Sequence, residues 1–439
     1  MTVRRRFAWL VVLALFGTLM SCSDNPTGPG SGTPNAEQVE YYAPDLVHDG
    51  YVLMNPIDTH AFWIVDKRGS VLHTWPIPTD LRFDAQLLPD GRVLANLEQS
   101  LGGDETRFYG GDLRIIEPDG SFSWELTWQG PTTISHHDLE MLPSGNILFI
   151  AADAYPPAAA VAMGWNGGTQ LVSESLIEVD PATNEVVWRW DAADHLIQDH
   201  DPAALGHGDP AQHPELIDVN YGPVLDFGAG DIFHANGIVH DAERDLIFFS
   251  INNYSEVWVI DHATTTEEAA GPAGDLVYRF GNPEAWRNTA GQRRFWTQHH
   301  PSFIADGLAG AGHLLIFMNG RPYHGRTTEQ SVVYELQLPP VLACEPGVDT
   351  EPTVAWSWTH PGLYGHHLGS AQRLPGGNTL IAEGDYGYWE VTSDGQVAWK
   401  FDYEGEGILE VPGAAVWRGY GIEKDDPALA ALGLKADFR

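Results

Sequence analysis

Histidine is the residue type whose number and placement in this chain indicate chemistry. The sequence contains 19 histidines. Several of them lie in short motifs of similar composition, at similar distances ahead of a predicted strand: SHHD (135–138), HANG (234–237), QHH (298–300) and GHHL (365–368). Imidazole groups are the commonest ligands of transition metals. They can also attack an anionic group or donate hydrogen bonds to its oxygens. Because the chain has neither an HExxH motif nor a cysteine cluster, no motif specifically favours a metal.

The elements that must position these histidines form a repeated unit. Six short, alternating apolar segments end in an aromatic residue, and each follows another short strand and a turn. The six segments are VLHTW (71–75), WELTW (124–128), VVWRW (186–190), LVYRF (276–280), VAWSW (354–358) and VAWKF (397–401). A further strand pair, often joined by Leu-Pro-x-Gly, precedes each segment. Six copies of a four-stranded unit predict an all-β fold, a six-bladed β-propeller with antiparallel blades. The histidine motifs would then lie at one end of the inner strands, at the channel mouth.

The predicted propeller occupies residues 41–423. Its inner strands are expected to start near residues 47, 82, 135, 234, 299 and 367. The segment 414–422 is expected to pair with the first blade and close the ring, because an unpaired edge would be exposed. A tail at 424–439 follows and has helical composition over 425–436.

Two insertions, 153–170 and 192–230, separate the third and fourth inner strands. The second insertion holds four histidines among several aspartates: His195, His200, His207 and His213. A polar surface loop is favoured there over a metal-binding loop.

The N-terminus has the composition of a targeting segment. Three arginines precede an apolar stretch that ends in Leu-Met-Ser-Cys, which resembles a bacterial lipobox. Residues 1–21 are therefore predicted to be a lipoprotein signal peptide, Cys22 the lipidated residue and 22–40 a flexible tether. Ser23 after the cysteine favours the outer membrane, with the protein facing the periplasm or the cell surface. Cys344, the other cysteine, is expected to be a free buried thiol.

The charge balance excludes polyanionic partners. The formal net charge is −37. Because residues 1–21 carry three arginines and no acidic residue, the predicted mature chain carries −40. Such a surface repels nucleic acid and anionic lipid headgroups. An anionic substrate would need cationic or hydrogen-bond-donating groups concentrated at its site.

Several of these motifs, in this order, carry a resemblance to a known family. HHDLEMLPSGNIL, DIFHANGIVHD, TQHHPSFIADGLAGAGHLLIFMNG and SAQRLPGGNTLIAEG resemble the bacterial arylsulfate sulfotransferase family over roughly residues 45–420. The resemblance implies a six-bladed propeller without a cofactor. It also implies transfer of a sulfuryl group from a phenolic sulfate ester to an acceptor phenol, through a sulfated histidine in the channel.

The resemblance also implies roles for single residues. His299 matches the nucleophilic histidine, which follows a glutamine in the family. His234 and Asn236 match the pair that binds the transferred sulfuryl oxygens, and His137 (or the adjacent His136) matches the histidine of the earlier blade. His367 joins them as a substrate-binding histidine from its place in the fourth motif.

The chain departs from the family at a cationic position. An arginine of the family is replaced by Asn252 or Asn253, so Asn252 is placed among the substrate-binding residues. Arg321 or Arg373 could supply the missing cation, and Arg321 is taken as the candidate. His300 also stands where the family usually has another polar residue such as aspartate, and the chain cannot form the disulfide of the best-known branch.

These observations predict a lipid-anchored aryl-sulfate sulfotransferase. Its expected partners are an aryl sulfate donor, a phenolic acceptor and the membrane through Cys22, with a homodimer left open. Two alternatives remain. One is a non-catalytic propeller that binds a ligand or carbohydrate at the cell surface. The other is a metal-dependent hydrolase or lactonase with the channel histidines as ligands.

Overall fold

The computed structural model describes residues 33–57, 59–98, 110–222, 230–322, 326–403 and 416–434. The predicted signal peptide, Cys22 and most of the tether lie outside these residues. None of the helices in the described ranges is long and apolar enough to cross a membrane.

Short β-strands make up most of the fold, because alternating apolar segments are separated by turns rich in glycine, proline and aspartate. In chain order the strands are β1 (Val39–Tyr42), β2 (Gly50–Pro56), β3 (Thr59–Asp66), β4 (Val71–Leu87), β5 (Val93–Glu98), β6 (Gly111–Ile116), β7 (Phe122–Thr127), β8 (Thr133–Met141), β9 (Ile147–Tyr155), β10 (Leu171–Asp180), β11 (Glu185–Asp191), β12 (Leu196–Ile197), β13 (Ile217–Asp218), β14 (Ala235–Asp241), β15 (Leu246–Ile251), β16 (Glu256–Asp261), β17 (Tyr278–Phe280), β18 (Gln298–Phe303), β19 (Leu314–Met318), β20 (Val332–Gln337), β21 (Thr353–Trp358), β22 (Ser370–Arg373), β23 (Thr379–Ala382), β24 (Gly387–Val391), β25 (Val397–Asp402) and β26 (Val416–Glu423).

Consecutive strands pair antiparallel in sheets of four or more. Strands β8 to β11, β14 to β17 and β18 to β21 form three four-stranded sheets, and β22 to β25 form a fourth that β1 extends at its outer edge. A seven-stranded sheet has the order β26-β2-β3-β4-β5-β6-β7. Its long strand β4 serves two units, since Trp75 pairs opposite Phe62 of β3 while Ala85 pairs opposite Ala95 of β5. Among the strands in the described ranges, only the short pair β12 and β13 is parallel.

The inner strands of these units contact one another in a closed cycle. β4 contacts β8, β8 contacts β14, β14 contacts β18, β18 contacts β22, β22 contacts β26 and β26 contacts β4. The six aromatic-ended segments fall in the first part of β4, which pairs with β3, and in β7, β11, β17, β21 and β25, and each is the outer strand of its unit. The prediction of an all-β, propeller-like fold of antiparallel sheets is confirmed.

Both ends of the domain contribute to its closure. β26 pairs with β2, with Gly50 opposite Glu423, as expected for the segment 414–422. The expectation that an inner strand starts near residue 47 is wrong. β26 is the innermost strand of this unit, and β2 is the second strand. β2 is accordingly buried at all seven residues. At the other end, β1 pairs with β25 and includes the last two residues of the predicted tether.

Helices are few and short: α1 (Pro157–Ala162), α2 (Thr266–Ala269), α3 (Pro427–Ala431) and the 3₁₀ turns η1 (Ala36–Gln38), η2 (Ala192–His195), η3 (Pro210–Gln212), η4 (Pro272–Gly274) and η5 (Pro283–Trp286). α3 lies in the tail of helical composition. The sequence did not indicate α1 and α2, which are too short for a helical apolar pattern to be recognised. Cys344 is a free, partly buried thiol whose pKa burial raises to about 11.

Candidate active site

Irregular strand pairing at the inner edge brings the histidine motifs together. The register shifts between His136 and Leu139 in β8, and between His299 and Ser302 in β18. A bulge of this kind bends the strand and redirects a side chain that regular alternation would send elsewhere. Each of the four motifs contains one residue whose backbone is in the left-handed conformation: His137 (φ 56°), His234 (φ 51°), His300 (φ 50°) and Leu368 (φ 59°).

His299 has one ring nitrogen fixed by an amide. Its Nδ1 lies 2.6 Å from Oδ1 of Asn319. The Nδ2 group of Asn319 donates to the carbonyls of Gly365 at 2.9 Å and Leu368 at 2.8 Å. Because the amide nitrogen makes both of these bonds, the amide oxygen faces His299 and must accept a hydrogen bond from the Nδ1–H group. The lone pair of neutral His299 is therefore on Nε2.

The surroundings of His299 keep its ring neutral. The side chain is buried, with 7% of its surface exposed. Burial is the main reason that the pKa of His299 is lowered to about 3; the hydrogen bond of Asn319 opposes this shift, and His234, His367 and Arg418 contribute to it. A buried imidazole close to other imidazoles and a guanidinium resists protonation. At neutral pH the Nε2 lone pair is thus available for attack.

His137 lies at the end of a buried hydrogen-bonded chain. Nε2 of His136 is 2.8 Å from Oε2 of Glu174, and Nδ1 of His136 is 2.6 Å from Nδ1 of His137. Burial and then the neighbouring His136 and His234 hold the pKa of His137 well below its usual value. The ring of His137 meets the His234 ring edge-on at 4.8 Å between centroids. Glu174 thereby orients His137 through His136, and His137 is neutral.

His234 forms a dyad with a buried carboxylate. Its Nδ1 lies 2.6 Å from Oδ2 of Asp231, whose other oxygen accepts the backbone N–H of His234 at 3.1 Å. The carboxylate fixes the Nδ1–H tautomer and stabilises the ring when it is protonated. His234 can therefore transfer a proton at Nε2.

The two predicted asparagines meet next to His299. Nδ2 of Asn236 donates to the carbonyl of Gln298 at 2.7 Å, and Nδ2 of Asn252 donates to the same carbonyl at 3.2 Å. Both side chains are buried. Asn253, the other residue considered for the arginine position, donates to the carbonyl of Asp231 at 3.1 Å. The side chains of Asn236 and Asn252 thus both bind the carbonyl of the residue that precedes His299.

The fourth motif adds His367 and places the two arginine candidates apart. The rings of His366 and His367 are 4.1 Å apart. Burial and then His367 and Arg321 lower the pKa of His366 to about 4. Arg321 is therefore near this end of the site. Arg373 instead pairs with Glu335, with Nη2 2.6 Å from Oε2, and its ring contact is with a tryptophan of β21.

A buried arginine that the sequence analysis does not predict as a site residue, Arg418, lies close to the channel histidines. Arg418 of β26 is 1% exposed, and both its terminal nitrogens lie 2.7 Å from the two carboxylate oxygens of Asp138. Asp84 accepts a further bond from Arg418 at 2.9 Å. Arg418 also lowers the pKa of His137 and His299. The sequence predicts only ring closure for the segment 414–422, and Arg418, the one cationic residue in that segment, is the signal that could have indicated its role.

Apolar side chains form a separate wall beside the histidines. The cluster consists of Ile57, Phe83, Leu368 and Trp417. Phe83 stacks on His137 at 4.6 Å, and Trp417 lies 6.3 Å edge-on from the His299 ring. Aromatic rings favour offset or edge-on partners at these separations. The wall places an apolar surface next to His299.

In the histidine-rich insertion 192–230, His195 makes structural contacts and lies outside the candidate active site. His195 is buried with both nitrogens bonded to protein, Nδ1 to Asp275 at 2.8 Å and Nε2 to the carbonyl of Ala269 at 2.9 Å. Across the residues that the structure describes, one set of three side chains has ligand atoms close enough for a metal, namely His240, Asp245 and His262. It includes neither the channel histidines nor the insertion.

The fold and site together define a propeller-like, all-β protein with a neutral, oriented histidine in a buried polar cluster. A family model described as Arylsulfotransferase (ASST) matches residues 36–337, more than half of the chain. The chain therefore belongs to the arylsulfotransferase family. At the level of the family, this membership supports the assignment of the chain as a sulfotransferase that acts on aryl sulfates and phenols. No curated protein matches the chain.

Solved structures resemble the chain only distantly. A protein of unknown function from Bacteroides caccae is 12% identical, with 85% of this chain and 99% of that chain covered and a TM-score of 0.48. The Cps50 (Swd1) β-propeller domain of Myceliophteria thermophila is 12% identical, with 88% and 99% covered and a TM-score of 0.41. The assignment of the fold therefore rests on the strand pairing and not on similarity to these structures.

Proposed function

We propose that this protein transfers a sulfuryl group from an aryl sulfate to an acceptor phenol through an N-sulfohistidine at His299. The observation that carries the proposal is the bond between His299 Nδ1 and Asn319 Oδ1, which puts the lone pair on Nε2. A covalent intermediate divides one difficult transfer into two easier ones.

In the first step, Nε2 of His299 attacks the sulfur of the donor. The N–S bond forms while the bond between sulfur and the aryl oxygen breaks, and the electron pair leaves with the phenolate. The Nδ1 proton stays on the ring, which donates it in a hydrogen bond to Oδ1 of Asn319. Because the side chain is buried and its pKa is about 3, a neutral ring is present throughout the neutral range. The wall of Phe83 and Trp417 receives the aryl group.

His234 supplies and recovers the proton. Its protonated ring, stabilised by Asp231, gives the Nε2 proton to the departing phenolate. In the second step, His234 takes a proton from the acceptor phenol as the acceptor oxygen attacks sulfur and the N–S bond breaks. The proton has then moved from acceptor to released phenol, and the enzyme is unchanged. Transfers of this kind typically contribute about 10²–10⁴ in rate.

Polar groups held in place next to the histidines favour the sulfuryl group. Asp138 and Asp84 hold Arg418 and balance its charge, so the guanidinium of Arg418 fixes the inner strands at the site, whereas Asn252 stands where the family has an arginine. His137 contributes a ring nitrogen close to His234, and Asn236 offers the second hydrogen of its amide. Groups held in place before the reaction stabilise developing charge without reorganisation.

The test is turnover of 4-nitrophenyl sulfate with and without a phenol acceptor. We expect nitrophenol release to depend on the acceptor, because the sulfohistidine is formed in a site that excludes water. Equal release without acceptor would indicate a sulfatase. Binding of the donor with no turnover under any condition would favour the non-catalytic propeller, and activity lost on chelation would favour a metal-dependent hydrolase.

We further infer that the domain is a six-bladed propeller. The inference is supported by the six inner strands that contact one another in turn and by β4, which divides the seven-stranded sheet into two units. An experimental electron-density map with any other number of blades would refute it.

Cys22 is proposed as the lipid anchor that places the enzyme in the cell envelope, at the outer membrane facing the periplasm or the cell surface. The proposal is motivated by the arginine-rich start, the short apolar stretch and the Leu-Met-Ser-Cys sequence. Cys22→Ala should leave an unlipidated precursor that no longer partitions with membranes. Normal membrane association of that variant would contradict the anchor.

A further inference from the structure

A second histidine cluster lies at the far end of the strand that follows His234. His240 is near the end of β14 (Ala235–Asp241), six residues beyond His234. With a rise of about 3.3 Å per residue, the two histidines are roughly 20 Å apart. His240 therefore belongs to the opposite end of the unit from the candidate active site.

Three side chains converge there. Nε2 of His240 lies 2.9 Å from Oδ1 of Asp245, and Nδ1 of His262 lies 2.8 Å from the same oxygen. The two imidazole rings are 5.3 Å apart between centroids. The three ligand atoms all lie within 4.8 Å of one another. Asp245 comes from the turn between β14 and β15, and His262 follows β16, so one sheet supplies all three.

The surrounding structure holds these side chains in place. The backbone N–H of His262 donates to the carbonyl of Asp245 at 3.0 Å, which joins the turn to the end of β16. Nε2 of His262 lies 3.0 Å from Oε2 of Glu178, and Asn146 donates to the other oxygen of Glu178 at 2.7 Å. A histidine that binds a metal through one nitrogen usually donates its other N–H to a carboxylate, and Glu178 occupies that position.

We propose that His240, Asp245 and His262 bind a divalent transition metal, Zn²⁺ in the first instance. Two imidazole nitrogens and one carboxylate oxygen suit zinc, whereas calcium and magnesium prefer oxygen ligands throughout. The ligand atoms of a tetrahedral zinc ion with bonds of about 2.0–2.1 Å lie roughly 3.3 Å apart. The distances from Asp245 Oδ1 to the two histidine nitrogens, 2.8 and 2.9 Å, need only a small widening, and all three ligand atoms already lie within 4.8 Å of one another.

The burial of the cluster fits a site open on one side. The side chains of His240 and His262 are 7% and 11% exposed, whereas that of Asp245 is 46% exposed. An ion would enter past Asp245 and keep a water molecule in the fourth position. Glu178 and Asn146 belong to the neighbouring sheet of β8 to β11, so the metal would also strengthen the contact between two sheets.

The experiment measures zinc binding to the mature chain after removal of any purification tag, since a polyhistidine tag would itself bind zinc. We expect one zinc per chain by elemental analysis, saturable competition with a chromogenic zinc chelator and a melting temperature that rises with zinc. His262→Ala and Asp245→Asn should each lose the bound zinc. Glu178→Gln should weaken binding by about 10–100-fold, because a neutral amide replaces the carboxylate that orients His262.

His60→Ala is the matched control. His60 is 69% exposed and makes one contact with a carboxylate, Asp80 at 3.0 Å, so its loss should leave zinc binding unchanged. Calcium or magnesium in excess should not displace zinc. The proposal is overturned if the chain retains no zinc, if all variants including His60→Ala bind it equally, or if calcium competes. Zinc-free protein should keep its activity towards aryl sulfates, so failure of the metal site and failure of the proposed activity are separate results.

Discussion

The channel histidines and those of the 192–230 insertion are the same residue type in two different physical situations. His195 of the insertion has both ring nitrogens bonded to protein groups, so it can hold η2 against α2 but has no nitrogen left for a substrate. His299 has one nitrogen bonded to Asn319, which determines where the other nitrogen carries its lone pair. The difference is in the partners of the ring and not in its burial, since both side chains are buried.

The backbone accounts for this difference. The channel histidines lie at bulges in three neighbouring inner strands, where left-handed residues redirect side chains to a common point. The described part of the insertion, residues 192–222 and 230, has only short turns and the parallel pair β12 and β13. Local density of histidine is therefore a poor guide to a site, and recurrence at equivalent places of a repeated unit is a better one.

The largest expected effect is at His299. His299→Ala should lower the rate of sulfuryl transfer by about 10⁴–10⁶-fold, as for loss of a nucleophile. His213→Ala, which removes a 48%-exposed histidine of the insertion, is the control and should leave the rate unchanged. Steady-state rates with a chromogenic donor and a phenol acceptor measure both. Similar effects of the two substitutions would remove the distinction between the two regions.

The next effect concerns the proton relay. Asp231→Asn keeps the shape of the side chain but removes the charge that stabilises protonated His234, so the rate should fall by about 10²–10⁴-fold. Donors with a more acidic leaving phenol need less proton transfer and should be less affected. An equal loss for all donors would point to a structural role for Asp231.

The pH dependence tests the hydrogen bond of Asn319. A carboxylate at this position favours the protonated ring, so Asn319→Asp should raise the pKa of His299 from about 3 by roughly one to three units. The protonated ring has no lone pair on Nε2, and activity is lost as pH falls through that pKa. The acid limb of the rate profile should therefore move to higher pH. Asn184→Asp adds the same charge at the surface and should not move it.

A smaller effect is expected at the apolar wall. Phe83→Ala should raise KM for aryl donors roughly tenfold, consistent with loss of one aromatic contact and the area it buries. Phe122→Ala, a change on an outer strand, should leave KM unaltered. An increase in KM of the same size for both variants would mean that the wall does not bind the aryl group.

His195→Ala should have the smallest effect on catalysis and a clear effect on stability. The variant leaves Asp275 and the Ala269 carbonyl without their buried partner, so unfolding should require about 1–3 kcal/mol less free energy. The rate of the folded enzyme should be unchanged. Denaturant unfolding and kinetics on the same preparation measure the two, and a loss of activity without loss of stability would contradict the comparison.

Much of the fold could be predicted from the sequence because it depends on local patterns. Alternating apolar residues and Leu-Pro-x-Gly turns mark the strands wherever they occur. The inner position of β26 could not be recognised, since it depends on pairing between Gly50 and Glu423, at opposite ends of the chain. The site shows the same limit. His299 and His234 recur at equivalent places of the repeated unit, whereas the roles of Asn319, Asp231 and Arg418 depend on contacts that only the folded sheets create.

The most direct test of the central claim is mass spectrometry of protein incubated with an aryl sulfate donor and no acceptor. We predict one added sulfuryl group on the peptide spanning residues 295–304, located on His299 and removed when phenol is added. The adduct should be absent from His299→Ala and present in His213→Ala. An adduct on another histidine, or none in a preparation that transfers sulfuryl groups, would contradict the account.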